Sequence, residues 1–166
     1  IAGNHGAGVL VGRDVDHNLN GAGGSGNAIL GNAIWGNGGL GIDLGDVGTV
    51  TPNDPGDGDS GPNDLQNFPV LTGAIGLEGS GTVVSGTLNS AVGTYRVEVF
   101  ASRTADPSGN GEGQVYLGAI VVSLASPTQS FSAIVPGIAR TGWRVSATAT
   151  SATGSTSEFS DTIAAR

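Results

Sequence analysis

Four aspartates stand close together in one Gly-rich stretch: Asp54, Asp57, Asp59 and Asp64, with Gly56, Gly58 and Gly61 between them. Carboxylates on a turn that glycine leaves free to bend are the donors a hard cation needs. Calcium takes about six to eight oxygens from carboxylates, carbonyls and water. The spacing is not that of an EF-hand, because the alternating loop positions and the closing glutamate are missing. Asp43, Asp46, Asn53 and Asn63 could complete the oxygen set. Four like charges within eleven residues repel one another, and an ordered loop there needs something to offset them. The competing reading is a solvated acidic turn whose Asp and Asn side chains bond only their own backbone.

A second polar loop runs Asp106-Pro107-Ser108-Gly109-Asn110-Gly111-Glu112-Gly113-Gln114. Asp106 and Glu112 could hold a further calcium, or Glu112 and Gln114 could hydrogen-bond a sugar. A structural turn explains the same residues. A sugar also wants an exposed aromatic ring beside polar groups. Only eight aromatics exist. Trp143, Phe100, Phe131 and Phe159 fall in core phase and Phe68 opens the first expected sandwich strand; Trp35, Tyr95 and Tyr116 are the candidate platforms.

No catalytic constellation emerges. Arg13, Asp14, Asp16 and His17 lie together, but a glycosidase needs two carboxyls opposed across a groove, and partners for Asp14 and Asp16 are not evident in this chain. There is no G-x-S-x-G, no HExxH, no P-loop and no cysteine. His5 and His17 stand apart, without ligand mates.

The elements that must position these loops are strands. Gly accounts for 31 of 166 residues without a triplet period, and Thr, Ser, Asn and Val are abundant. That composition favours strands and turns over helices. Residues Gly3-Asn4-His5-Gly6-Ala7-Gly8-Val9-Leu10-Val11 match Gly36-Asn37-Gly38-Gly39-Leu40-Gly41-Ile42-Asp43-Leu44. Between them, Gly-Asn recurs at Asn27, Asn32 and Asn37. Five-residue spacing suits short strands joined by tight corners, with Ile29, Ile34 and Ile42 pointing inward and Leu30 or Trp35 at corners. Three short strands per coil is parallel β-helix geometry, in which Asn4 and Asn37 would stack and share amide hydrogen bonds. Residues 12–25 break the pattern as an extruded loop.

Residues 1–45 therefore read as a terminal β-helix coil, 46–66 as an Asp/Gly/Pro-rich connector, and 67–166 as a seven-stranded antiparallel sandwich of immunoglobulin or fibronectin type. The strands expected run from Phe68–Ile75 to Glu158–Ala164, with Trp143 as core anchor. One coil cannot bury its own open face, so upstream coils of a parent protein, or self-association through the open end, are expected. The chain begins at Ile1 and reads as an excised or mature piece.

Net charge is −8, all six cations are Arg, and there is no Lys. Such a surface argues against nucleic acid and anionic membranes, and no apolar run is long enough to span a bilayer. Cations and neutral sugars suit it better.

The runs GNAILGNAIWGNGGLGIDLG, TPNDPGDGDSGPNDLQNFPVL, DPSGNGEGQ and SATATSATGSTSEFSD resemble the C-terminal region of bacterial right-handed parallel β-helix repeat proteins. The resemblance spans nearly the whole chain. It implies a secreted or cell-surface address and this architecture, not a reaction. Function is then expected to be that of a non-catalytic, calcium-stabilised cap and accessory module that binds a surface or carbohydrate. The alternatives are the accessory part of a polysaccharide lyase or hydrolase whose site lies in upstream coils, and a protein-binding adhesin fragment.

Overall fold

The computed structural model describes residues 1–12, 24–45 and 48–166. The fold is all-β. Strands β1 (Val9–Gly12) and β2 (Ile42–Gly45) pair in parallel. The rest forms two antiparallel sheets from β3 (Val70–Leu77), β4 (Gly81–Asn89), β5 (Gly93–Ser102), β6 (Val115–Leu124), β7 (Thr128–Val135), β8 (Arg144–Thr150) and β9 (Ile163–Ala164). One sheet has the order β3-β4-β7 and the other β6-β5-β8-β9.

The two antiparallel sheets share one core because β-branched residues alternate along the strands. Tyr95, Val97, Val99 and Ala101 of β5 and Val145, Ala147 and Ala149 of β8 meet Val84, Leu88 and Val135 of the facing sheet. The β5 and β8 residues are the odd positions of two period-two runs. Tyr95 is a correction: it is buried, its hydroxyl bonded to Ser90 and to the Ala91 carbonyl, and offers no platform. Trp143 is also corrected. It packs on the rim of the core rather than at its centre, half-buried.

The even positions Glu98, Phe100 and Ser102 of β5 are buried as well, on the opposite face of the sheet; Phe100 is in a core as its phase suggested, but not in the one between the two sheets. The N-terminal segment covers that outer face. Ile34, Ile42 and Leu44 pack there against Phe100 and Phe159 in a second core, with Val9, Val11 and Ile29 alongside. The rings of Phe100 and Phe159 meet edge to face, 5.3 Å between centroids. A side chain at Gly113 would run into both rings, at 2.8 Å.

Within the N-terminal segment the two sequence repeats stack in register. Val9 pairs with Ile42 and Val11 with Leu44, and Ala2 bridges Trp35 in the same parallel sense. Asn4 Nδ2 donates to Asn37 Oδ1 at 2.9 Å, across 33 residues, as the repeat suggested. The stacking is tight: a Cβ on Gly38 would sit 2.3 Å from the His5 carbonyl.

The last strand is shorter than expected. Only Ile163–Ala164 ladders with β8; residues 155–160 reach β8 partly through side chains. Ser157 and Ser160 hydroxyls accept from the Ala149 and Ala147 amides, while their own amides donate back to the same residues' carbonyls. Hydroxyls inserted into a ladder compete with regular pairing.

Candidate functional site

The acidic connector is held by hydrogen bonds at both ends. Asn53 clamps Phe68, its Oδ1 accepting the Phe68 amide at 2.9 Å and its Nδ2 donating to the Phe68 carbonyl at 2.8 Å. Asn63 is fully buried. Its Nδ2 donates to the carbonyls of Asn27 and Thr156, and its Oδ1 accepts from the Asn27 amide and side chain. These bonds hold Asn63, Asp64 and Leu65 in the left-handed region, φ between 50 and 56°, which costs non-glycine residues roughly 1–2 kcal/mol each. The proposed ligands Asn53 and Asn63 therefore serve the backbone.

Asp54, Asp57 and Asp59 do come together. Each offers an oxygen within 4.8 Å of the others. Asp57 accepts from the Asn67 amide at 2.8 Å and the Ser90 hydroxyl at 2.6 Å. Asp54 Oδ2 accepts the Gly58 amide at 3.0 Å, while its Oδ1 is buried and accepts no hydrogen bond. Burial pushes the Asp57 carboxyl above its ordinary value despite Ser90 and Asn67, and the Asp54 and Asp64 charges add to the rise. Asp59 rises for like reasons, burial first and then the Asp54 and Asp57 charges. An orphaned oxygen among mutually repelling carboxylates fits a cation's donor set, to be completed by carbonyls and water. Asp64 stands apart from this trio: the Ser25 and Ser155 hydroxyls bond it and lower its pKa. Asp46 lies outside the described residues, as do Arg13, Asp14, Asp16 and His17.

The other loop meets the N-terminal segment. Trp35, Asp106, Glu112 and Gln114, the four residues singled out for a ligand, all line one pocket of about 500 Å³, with Arg103 and Pro107. Trp35 is 46% exposed, and it reaches this pocket from the opposite segment to the other three. Asp106 Oδ1 accepts from the amide and hydroxyl of Ser108 at 2.9 and 2.7 Å. Gln114 Oε1 accepts only the Arg103 amide, at 3.4 Å. Glu112, by contrast, is committed. It is buried, and it accepts from the Gly36 amide, the Asn37 amide and Asn37 Nδ2, the last at 2.7 Å.

Two further glutamates do the same, and neither was marked by motif or spacing. Glu98 on β5 accepts the Gly31 amide at 2.7 Å and Arg96 Nε at 2.8 Å. Glu158 accepts the Leu44 and Thr51 amides, both at 2.9 Å. Burial pushes the Glu158 carboxyl from 4.5 up to about 7, against the pull of those two amides, with the Asp43 charge adding to the rise. The one available signal for Glu98 was a lone carboxylate in the apolar run Val97-Glu98-Val99-Phe100.

No protein-family model and no curated protein matches the chain. No helix among the described residues is long and apolar enough to cross a membrane.

Proposed function

We propose that this chain is a non-catalytic accessory module that binds carbohydrate at the junction of its two parts, the last coil of a right-handed parallel β-helix and an immunoglobulin-like sandwich. The observation that carries the reading is the pocket in which Trp35 of the coil meets Asp106 and Gln114 of the sandwich. An exposed indole gives a sugar ring a stacking face, and the carboxylate and amide supply hydrogen-bond partners for hydroxyls. The parallel register at a 33-residue offset supports the coil, and the two facing sheets support the sandwich. Domain limits of 1–45, 46–66 and 67–166 follow from this division, with Glu98, Glu112 and Glu158 bonded across the seam.

The edge of β1 turned away from β2 has no ladder partner among the described residues. Upstream coils of a parent protein would stack there, and a second copy of the chain is the other occupant of that edge. We assign the Asp54, Asp57 and Asp59 trio to a divalent cation, calcium being the best match to an all-oxygen site, with a stabilising role. Resemblance to secreted β-helix repeat proteins of bacteria agrees with a secreted or surface location.

The test is a glycan array probed with the wild-type chain and with Trp35→Ala. Retention of at least one glycan by wild type, lost in Trp35→Ala, is expected. No retained glycan, or undiminished binding by the variant, would overturn the reading.

A further inference from the structure

We propose that the Trp35 pocket continues over Arg103 to Trp143, and that its ligand is an acidic oligosaccharide whose carboxylate or sulfate groups are taken by Arg103 and Arg140. The proposal rests on the carbohydrate reading above and names the class of sugar. It begins from the charges. The chain has fourteen acidic side chains against six arginines, so carboxylates are in excess for every cation. Among the described residues only Arg96 pairs with one, Glu98. Arg103 and Arg140 pair with none. Both guanidiniums lie instead 5.8 Å from the centre of the same ring, that of Trp143.

A cation over an indole face is attracted by the ring, and a guanidinium held there without a carboxylate partner keeps its N–H fork for an anion. Arg103 also lines the Trp35 pocket, so it belongs to both ends of the surface, with one indole on either side. Of the acidic residues of that wall, Glu112 is held by three donors of the 36–37 segment and one Asp106 oxygen by Ser108, which leaves the other Asp106 oxygen for a sugar hydroxyl and Arg103 for the anion.

Aromatic faces alternating with guanidinium forks suit a chain of sugar rings carrying spaced anions. The planar fork binds a carboxylate or sulfate with two parallel hydrogen bonds, while the indoles stack on the rings. Nucleic-acid affinity comes from a run of cation contacts along the phosphate backbone, which six arginines on a chain of net charge −8 do not supply.

The experiment is calorimetric titration with hexamers of galacturonate and of sulfated galactose beside neutral galactose hexamer, at low salt and at higher salt. At least one acidic hexamer should bind about tenfold or more tightly than the neutral one, and its affinity alone should fall with salt. In Arg103→Gln/Arg140→Gln the acidic preference should collapse to within about twofold of the neutral sugar, whereas Trp35→Ala should weaken every glycan that binds. Neutral binding equal to or tighter than acidic, salt-independent acidic binding, or a preference intact in the arginine double variant would each overturn the inference. The salt series needs no variant, so it decides even if that double variant fails to fold. Wild-type binding to the neutral hexamer alone would leave the carbohydrate reading standing; binding to no glycan at all would remove both.

Discussion

Two trios of carboxylates in this molecule have opposite surroundings. Glu98, Glu112 and Glu158 are buried, and each has backbone amides of the 31–51 segment aimed at its oxygens. Asp54, Asp57 and Asp59 lie nearer water and face one another, with one buried oxygen that accepts nothing. The glutamates act as glue: long enough to reach across from the antiparallel sheets, they supply acceptors to N–H groups of irregular backbone that no ladder satisfies. The aspartates are served less fully: Asp57 has two donors and Asp54 one, with the other Asp54 oxygen left without any. Carboxylate number alone says nothing about cation binding; what separates the trios is whether the protein itself provides the opposing dipoles.

The sharpest way to break that contrast is to remove a glutamate. Glu112→Ala leaves the Gly36 and Asn37 donors without an acceptor in a buried site. Leaving a buried donor unsatisfied costs about 1–3 kcal/mol, a large share of the roughly 5–15 kcal/mol that holds a domain together. Urea unfolding should show that loss, and hydrogen exchange should show the Gly36 and Asn37 amides opening first. A loss under about 1 kcal/mol would mean that Glu112 is not holding the segment.

Glu158 predicts a pH dependence. Its carboxyl is raised to about 7 from an ordinary 4.5, so the folded state binds this proton more tightly than the unfolded chain does. Its contribution is therefore complete below about 4.5 and lost as pH rises through about 7. At about 1.36 kcal/mol per unit, moving from pH 8 to pH 5 should stabilise the protein by roughly 3 kcal/mol or less. Asp57 and Asp59 act in the same direction; Asp64, whose pKa is lowered, loses its contribution only in stronger acid. In Glu158→Gln the rise between pH 8 and 5, followed by thermal melting in chelator, should be mostly gone. A wild type that is less stable at pH 5 than at pH 8 would contradict the assignment.

These glutamates also mark where the sequence stops being legible. The 33-residue repeat is visible in Gly3-Asn4 and Gly36-Asn37, and it foretold the parallel register and the Asn4–Asn37 bond. The period-two runs of β5 and β8 foretold the inner core. Nothing in either pattern says that the outer face of β5 is covered, because alternation reports on one face only and docking of the N-terminal segment is a long-range event. For the same reason neither pattern marks Glu98 and Glu158 as buried. Asp54, Asp57 and Asp59 were legible because their proximity is local, whereas Asn53 and Asn63 misled: their partners, Phe68, Asn27 and Thr156, are set by the fold. Asp106, Glu112 and Gln114 were legible as one loop, and only the packing of one part on the other brings Trp35 to them.

Calcium sharpens the other side of the contrast. If the aspartates take an ion that the glutamates do not, saturating calcium at about 100 times its dissociation constant should add about 2.7 kcal/mol over chelator, or roughly 5–10 °C in melting midpoint. Asp59→Asn is the discriminating variant, since Asp59 is exposed and supports no side chain of the core. It should fold as wild type does in chelator and lose most of the calcium-dependent rise. Equal midpoints for the wild type with calcium and with chelator would sink the cation site.

The smallest expected effect tests whether the glutamate seam and the stacked asparagines are one network. Asn4 donates to Asn37 Oδ1 through its amide and its side chain, at 3.2 and 2.9 Å, and Asn37 Nδ2 passes the chain on to Glu112. Asn4→Ala removes one side-chain bond at an exposed end, so it should cost only about 1 kcal/mol. Hydrogen bonds in series polarise one another, and Asn37 keeps its orientation only while both neighbours hold it. The double variant Asn4→Ala/Glu112→Gln should therefore lose less than the two single losses added together, by about 0.5 kcal/mol or more. Strict additivity in denaturant unfolding would show that the stacking of the two repeats fixes Asn37 and that the glutamate merely meets it there.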